Sequence, residues 1–242
     1  MTVTARVVGA PTWSLRRFAD MDCLARILAA EISSDLSNAI DTRGAASLIV
    51  PGGGTPRPLF DALARQPLTW PQVTVGLTDE RWVALDSDDS NEAQTRRHLL
   101  QYEARKAIWA GLWNDAPTLV GAAEAAGRRY ENILRPFDVV VLGMGDDGHV
   151  ASLFPGDVDI AAKLDPMGTA ICVVGTAPVA PYERLSLGLS ALVACRRLIL
   201  LIRGEGKLQL LRSSDESDAG AQLPVHAVLA AAGPAVEVVW AP

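Results

Sequence analysis

Cysteine is scarce in this chain of 242 residues, with Cys23, Cys172 and Cys195 the whole supply. An odd number at wide spacing makes neither a disulfide framework nor a zinc knuckle, so they read as reduced, mostly buried thiols. Long apolar runs are missing too. None reaches the roughly 18 residues of a membrane span, and the opening MTVTARVVGAPTWSLRRF has no apolar signal core. These absences predict a soluble, cytoplasmic protein with no membrane partner. There is no block of Lys and Arg, and the formal net charge is −6. Without a basic face, nucleic acid is excluded as a main partner. A local basic pocket for a small anion remains compatible with that charge.

What is present is enough apolar material for a sizeable core, 49% of residues. The length allows one large domain or two small ones. No repeat and no clean linker divides it, so 1–242 reads as one α/β domain. Val/Ile/Leu-rich runs at 46–50, 73–77, 138–143, 170–174, 197–202 and 236–240 read as strands. They are apolar almost throughout, as in strands covered on both faces. Helical patterns fall at about 20–40, 56–65, 91–101, 119–134 and 206–212. In the first, Leu24, Ile27, Leu28, Ile32 and Leu36 share helical spacing. The order α-β-α-β-α-α-β, then β-β-α-β, predicts a layered α/β fold with a mostly parallel sheet and helices on both faces.

LDSDDSN (85–91) and SSDESDAG (213–220) read as polar loops. The first fails as a calcium loop. Asp86 and Asp88 suit its first two ligand positions, but Asn91 stands where Gly is needed and Arg97 where the final Glu should be. Ser90 fits better as a helix N-cap.

Ligands of open parallel sheets bind beyond the carboxyl ends of the strands. After 46–50 comes PGGGTP, where Gly52, Gly53 and Gly54 let backbone N–H groups approach an anion and Thr55 suits a helix cap. A tight turn that binds nothing is the plainer reading, and glycines alone leave both open. After 73–77 comes TDERWV, with Asp79, Glu80 and Arg81 crowded at a strand end. They are either a solvated turn or an arginine that holds an anion beside a carboxylate. Arg184, in PYERLSL, and Lys207, in RGEGK, carry the same pair of readings.

GMGDDGHVASLFPG (143–156) follows the run at 138–143 and contains a literal G-x-G-x-x-G. A dinucleotide site needs a helix directly after the glycines and an acid at the end of the next strand. Pro155 and Gly156 oppose the helix, and the next strand ends in GTAP with no acid. For a metal, Asp146, Asp147 and His149 lack a second His or Cys at ligand spacing. No cofactor and no metal is expected. His149 is then either a structural histidine or a general base that takes a proton from water, with Asp147 orienting its ring or another site group; the residues alone leave the choice between Asp146 and Asp147 as its helper open. His98 lies in a helical pattern and reads as structural or exposed. His226 falls near a late loop and is not assigned a role.

Taken in order, PGGGTP, TDERWV with SN at 90–91, GMGDDGHVASLFPG, PYERLSLGLSAL and LLIRGEGK resemble the blocks of the 6-phosphogluconolactonase family, within the wider glucosamine-6-phosphate deaminase/isomerase-like group. The resemblance spans most of the chain. The departures are Gly54 where Ser is common, Ala84 for Pro, and Val150 for Thr. The resemblance implies the Rossmann-like layered fold of the sugar-phosphate isomerase/deaminase type. It implies hydrolysis of 6-phospho-D-glucono-1,5-lactone to 6-phosphogluconate by a monomer or weak homo-oligomer. It gives His149, Asp147 and Arg81 to catalysis. Gly52, Gly53, Gly54, Thr55, Asp79, Arg184 and Lys207 go to the substrate and its phosphate. The deaminase branch carries Asn-Glu before Pro-Gly, where this chain has Leu153 and Phe154. A non-catalytic sugar-phosphate sensor is the other class of reading, and the N-terminus lacks the basic recognition helix of such regulators.

Overall fold

Two strands, β2 (Ala46–Val50) and β6 (Phe137–Leu142), are buried at every residue. Side chains alternate across a sheet, so complete burial means that both faces are covered. These strands sit inside a seven-stranded parallel sheet in a computed structural model that describes residues 13–133, 135–213, 223–232 and 236–242. The chain enters through β1 (Ser14–Arg17) and α1 (Met21–Arg43) before β2, then runs α2 (Arg57–Leu63), β3 (Val73–Leu77) and β4 (Asp79–Arg81). Next come α3 (Asn91–His98), β5 (Ile108–Ala110) and α4 (Leu119–Glu131), then β6 and α5 (Ile160–Lys163). The last part is β7 (Cys172–Thr176), β8 (Glu183–Leu187), α6 (Leu189–Val193), β9 (Cys195–Arg203), α7 (Glu205–Arg212), α8 (Pro224–Ala232) and β10 (Val236–Ala241).

The large sheet is ordered β1-β10-β9-β6-β2-β3-β5. From β2 the chain steps outward to β3 and β5. It then returns to β6 on the other side of β2 and steps outward again to β9 and β10. Connections leaving β2 and β6 therefore diverge, which opens a crevice at their carboxyl ends. A separate antiparallel sheet, β4-β8-β7, begins one residue after β3 and so lies beyond those same ends. Thr78, the residue between β3 and β4, ties the two sheets: its N–H donates to Val50 O (2.9 Å) and its carbonyl accepts from Leu187 N (2.8 Å).

α1 shows why the sequence folds as it does locally. The Asp20 side chain accepts from Cys23 N, Arg43 lies in the last turn, and Gly44 closes the helix at φ 76°. Leu24, Leu28, Ile32 and Leu36 are fully buried against the sheet. Burying each such side chain is worth about 1.5–3 kcal/mol.

Several sequence expectations change here. The 170–174 run is the strand Cys172–Thr176, and it belongs to the small antiparallel sheet rather than the parallel one. An apolar run records burial and does not name its partner. β1, β4 and β5, at three or four residues each, are too short for a periodic signal, and β8 was hidden in a segment read for its arginine. His226 lies in α8 rather than in a loop. α3 ends at His98, whose Nδ1 lies 3.0 Å from Asp61 Oδ1. Ser90 does cap α3, accepting from Ala93 N. Of the polar loop at 213–220, only Ser213 falls within the described residues, and the opening residues 1–12 lie outside them. No described helix is long and apolar enough to cross a membrane.

Candidate active site

The carboxyl ends of four neighbouring strands, β9, β6, β2 and β3, converge on one cavity of about 230 Å³. That is below the roughly 300–1,000 Å³ of drug-sized sites and suits a small metabolite. Its walls are the 52–55 turn after β2, Asp79 and Arg81 on β4, the 143–145 segment and His149 after β6, and Lys207 from α7. Every residue picked out in the sequence as catalytic or phosphate-binding lies on this cavity or directly beside a residue that does, Asp147 against His149 and Arg184 paired with Arg81 across the β4–β8 ladder.

His149 sits on a tight loop. Gly145 N donates to His149 O (3.0 Å), Gly148 N donates to Gly145 O (3.1 Å), and Gly148 adopts φ 80°. A Cβ at Gly145 would lie 2.2 Å from the imidazole ring, so only glycine leaves room for it. Asp147 Oδ1 accepts from His149 N (3.1 Å) and lies 2.6 Å from Nδ1. An ionised carboxylate only accepts, so Nδ1 carries the proton and the neutral ring holds its lone pair on Nε2. Phe154 backs the ring at 4.5 Å between centroids. The His149 side chain keeps 30% of its surface exposed. An imidazole held in this tautomer, with one face on an open cavity, can take a proton from a water molecule. Asp146, the other candidate partner, is 94% exposed and stands 3.7 Å from Lys207 instead.

The cations of the site rest on carbonyls. Lys207 Nζ donates to Met144 O at 2.6 Å, and Arg81 donates to Asp89 O at 2.5 Å. Arg184 donates to the carbonyls of Pro181 and Glu183. It does not line the cavity. It is the cross-strand partner of Arg81 in the β4–β8 ladder. Burial, with Arg81 adding to it, holds the Arg184 guanidinium below its usual range. Like charges paired across strands are destabilising unless an anion joins them. Neither arginine makes an ion pair among the described residues.

The 52–55 turn offers backbone and one hydroxyl. Gly53 adopts φ 88°. The cap of α2 is Pro56, with no side-chain cap bond, so the Thr55 hydroxyl is not spent on the helix as the sequence suggested. Opposite, the Asp79 carboxylate accepts from Thr78 Oγ1 (3.0 Å) and Ser152 Oγ (2.7 Å).

The sequence reading missed Glu80, Asn91, Ser152 and Phe154 as parts of this site. Glu80 is completely buried and takes four donors: the N–H groups of Arg81, Asn91 and Glu92, and Ser90 Oγ. Burial pushes its carboxyl up to about 7, against the pull of those donors. The signal for Glu80 and Asn91 was present in TDERWV and SN, but nothing local shows that they meet. Among the described residues, no three His, Cys, Asp or Glu side chains group as metal ligands.

Comparison with known proteins identifies the family. Residues 19–240 match the family model described as glucosamine-6-phosphate isomerases/6-phosphogluconolactonase. The 6-phosphogluconolactonase of Pseudomonas aeruginosa is 43% identical over 207 residues, 86% of this chain and 87% of the relative. That of Pseudomonas putida is 39% identical over 228 residues, 94% and 93% of the two chains. The crystal structure of a 6-phosphogluconolactonase from Shewanella baltica superposes with a TM-score of 0.89 at 41% identity, covering 95% of this chain and 97% of the other.

Proposed function

The chain belongs to the glucosamine-6-phosphate isomerase/6-phosphogluconolactonase family, and from that premise we propose that it is a 6-phosphogluconolactonase. It hydrolyses 6-phospho-D-glucono-1,5-lactone to 6-phosphogluconate, the second step of the oxidative pentose phosphate pathway. The observation that carries this reading is the shared cavity: His149, Lys207 and the 52–55 turn line one space.

The phosphate dianion lies against the N–H groups of Gly52, Gly53 and Gly54, the Thr55 hydroxyl and Lys207, with Arg184 adding charge from the next strand. Holding that distal group places the lactone carbonyl near His149. Asp79, fixed by two hydroxyls, accepts from a sugar hydroxyl. Water gives a proton to His149 Nε2 as its oxygen bonds to the carbonyl carbon. Asp147 stabilises the imidazolium that forms. The oxyanion of the tetrahedral intermediate is held by Arg81. As the carbonyl re-forms, the bond to the ring oxygen breaks and that oxygen takes the proton from Nε2. Atoms balance with one water consumed, and no step requires a metal or a covalent intermediate.

Amino-sugar isomerisation, the other chemistry of the family, is disfavoured by position 154. The deaminase-type block has a carboxylate there, and Phe154 instead packs on the catalytic ring. The test is acid release from freshly made lactone, measured above the spontaneous rate. Release at background level, with the phosphosugar bound and returned unchanged, would identify a sensor and overturn the assignment.

A further inference from the structure

Asn91 is fully enclosed, 1% exposed, yet lines the cavity between the glycine turn and the Asp79 strand end. Its Nδ2 donates to the backbone carbonyl of Asp79 at 2.8 Å. A carbonyl only accepts, so this bond fixes which way the amide points. Oδ1 is therefore turned on Gly52, where a Cβ would lie 1.8 Å from it. Oδ1 is buried and has no hydrogen-bond partner. A buried acceptor without a donor is destabilising, and an apolar side chain would fill the space without that penalty. The backbone of Asn91 is just as constrained: its N–H donates to Glu80 Oε1, which also accepts from Arg81 N, both at 2.7 Å.

We infer that Asn91 is a positioning residue, the strut that sets the separation between the 52–55 turn and the Asp79–Arg81 strand end. It touches neither the reacting carbon nor the water. Through Gly52 it holds the amides that face the phosphate, and through Glu80 it shares one buried anchor with Arg81. The inference rests on the phosphate reading of that turn, and not on His149.

The experiment uses the full chain, with two readouts: steady-state lactone hydrolysis, and binding of inorganic phosphate followed by calorimetry without turnover. Asn91→Ala is expected to raise KM about tenfold and weaken phosphate binding by the same factor. Its kcat should fall by less than KM rises, because the Glu80 anchor shared with Arg81 uses the backbone N–H of residue 91 and remains in the variant. Gly52→Ala should lose phosphate binding, since its Cβ meets the Asn91 amide. The double variant should recover part of that loss, because the obstructing side chain is gone. Asn91→Ser, read beside Asn91→Ala, keeps the test alive if one of them fails to fold; the Glu80 anchor uses a backbone N–H and survives in both. Unchanged KM and phosphate affinity in the Ala or Ser variant overturns the strut. So does a Gly52→Ala defect that Asn91→Ala does not relieve, or a wild-type chain that does not bind phosphate. Phosphate binding without lactone turnover would instead count against the lactonase reading and leave the strut standing.

Discussion

The two ends of the large sheet treat charge in opposite ways. At the amino ends, Asp138 on β6 is 4% exposed and saturated: Ser47 N donates at 2.8 Å, Arg43 donates to it directly, and Arg196 stands 3.5 Å away. Asp138 N donates in turn to Ser47 Oγ at 3.0 Å. At the carboxyl ends, Lys207, Arg81 and Arg184 lean on backbone carbonyls, and among the described residues the ion-pair partner within 4 Å of these three is the exposed Asp146, 3.7 Å from Lys207. A carbonyl satisfies a donor without cancelling its charge. One end of the sheet closes its charges on each other, and the other keeps positive charge in reserve for an incoming anion.

That contrast can be broken at chosen points. His149→Ala should cut kcat by about 10²–10⁴-fold while leaving phosphate binding nearly intact, as single-turnover and binding assays on one preparation would reveal. At the opposite end, Asp138→Ala should cost about 3 kcal/mol of stability by denaturant unfolding, after allowing for the partly exposed Arg43. The folded fraction should keep wild-type KM and kcat, and a large change in either would mean that the two ends are coupled.

Lys207→Ala should raise KM by about 10–100-fold, the worth of one charge-assisted hydrogen bond, with a much smaller effect on kcat. An equal fall in kcat would place Lys207 at the carbonyl rather than the phosphate. The smallest effect concerns Glu80. Its folded pKa of about 7 lies above its ordinary value of 4.5. Its protonation therefore favours the folded state, fully below pH 4.5, and that contribution fades as pH rises through about 7. Glu80→Gln should remove this slope, flattening Tm against pH between about 4.5 and 7 by a few degrees. A variant with the wild-type slope would show that another group titrates.

How much was legible beforehand depends on how local each feature is. The loop at 143–156 carries its base, its orienting acid and the glycines that make room for them within a few residues, so its chemistry could be read directly. Choosing between Asp146 and Asp147 could not: both flank the ring in sequence, and only the turn closed by Gly148 points one inward and the other at Lys207. Arg184 was given to the phosphate by resemblance of its segment, and the fold pairs its strand with that of Arg81 while its guanidinium donates to the Pro181 and Glu183 carbonyls. The Asn91–Gly52 contact joins two loops far apart in the chain, and neither residue type signals the other.

Apolar runs settled in advance that strands would be buried on both faces, and glycine spacing that tight turns would follow them, because burial and backbone freedom are properties of a few consecutive residues. Which strand ends would be neighbours was decided by the fold. The order β9-β6-β2-β3 arises from divergent crossovers packed by long-range contacts, and local periodicity carries no information about a strand's partner. The meeting of His149, Lys207 and the glycine turn in one cavity belongs to that second kind of fact.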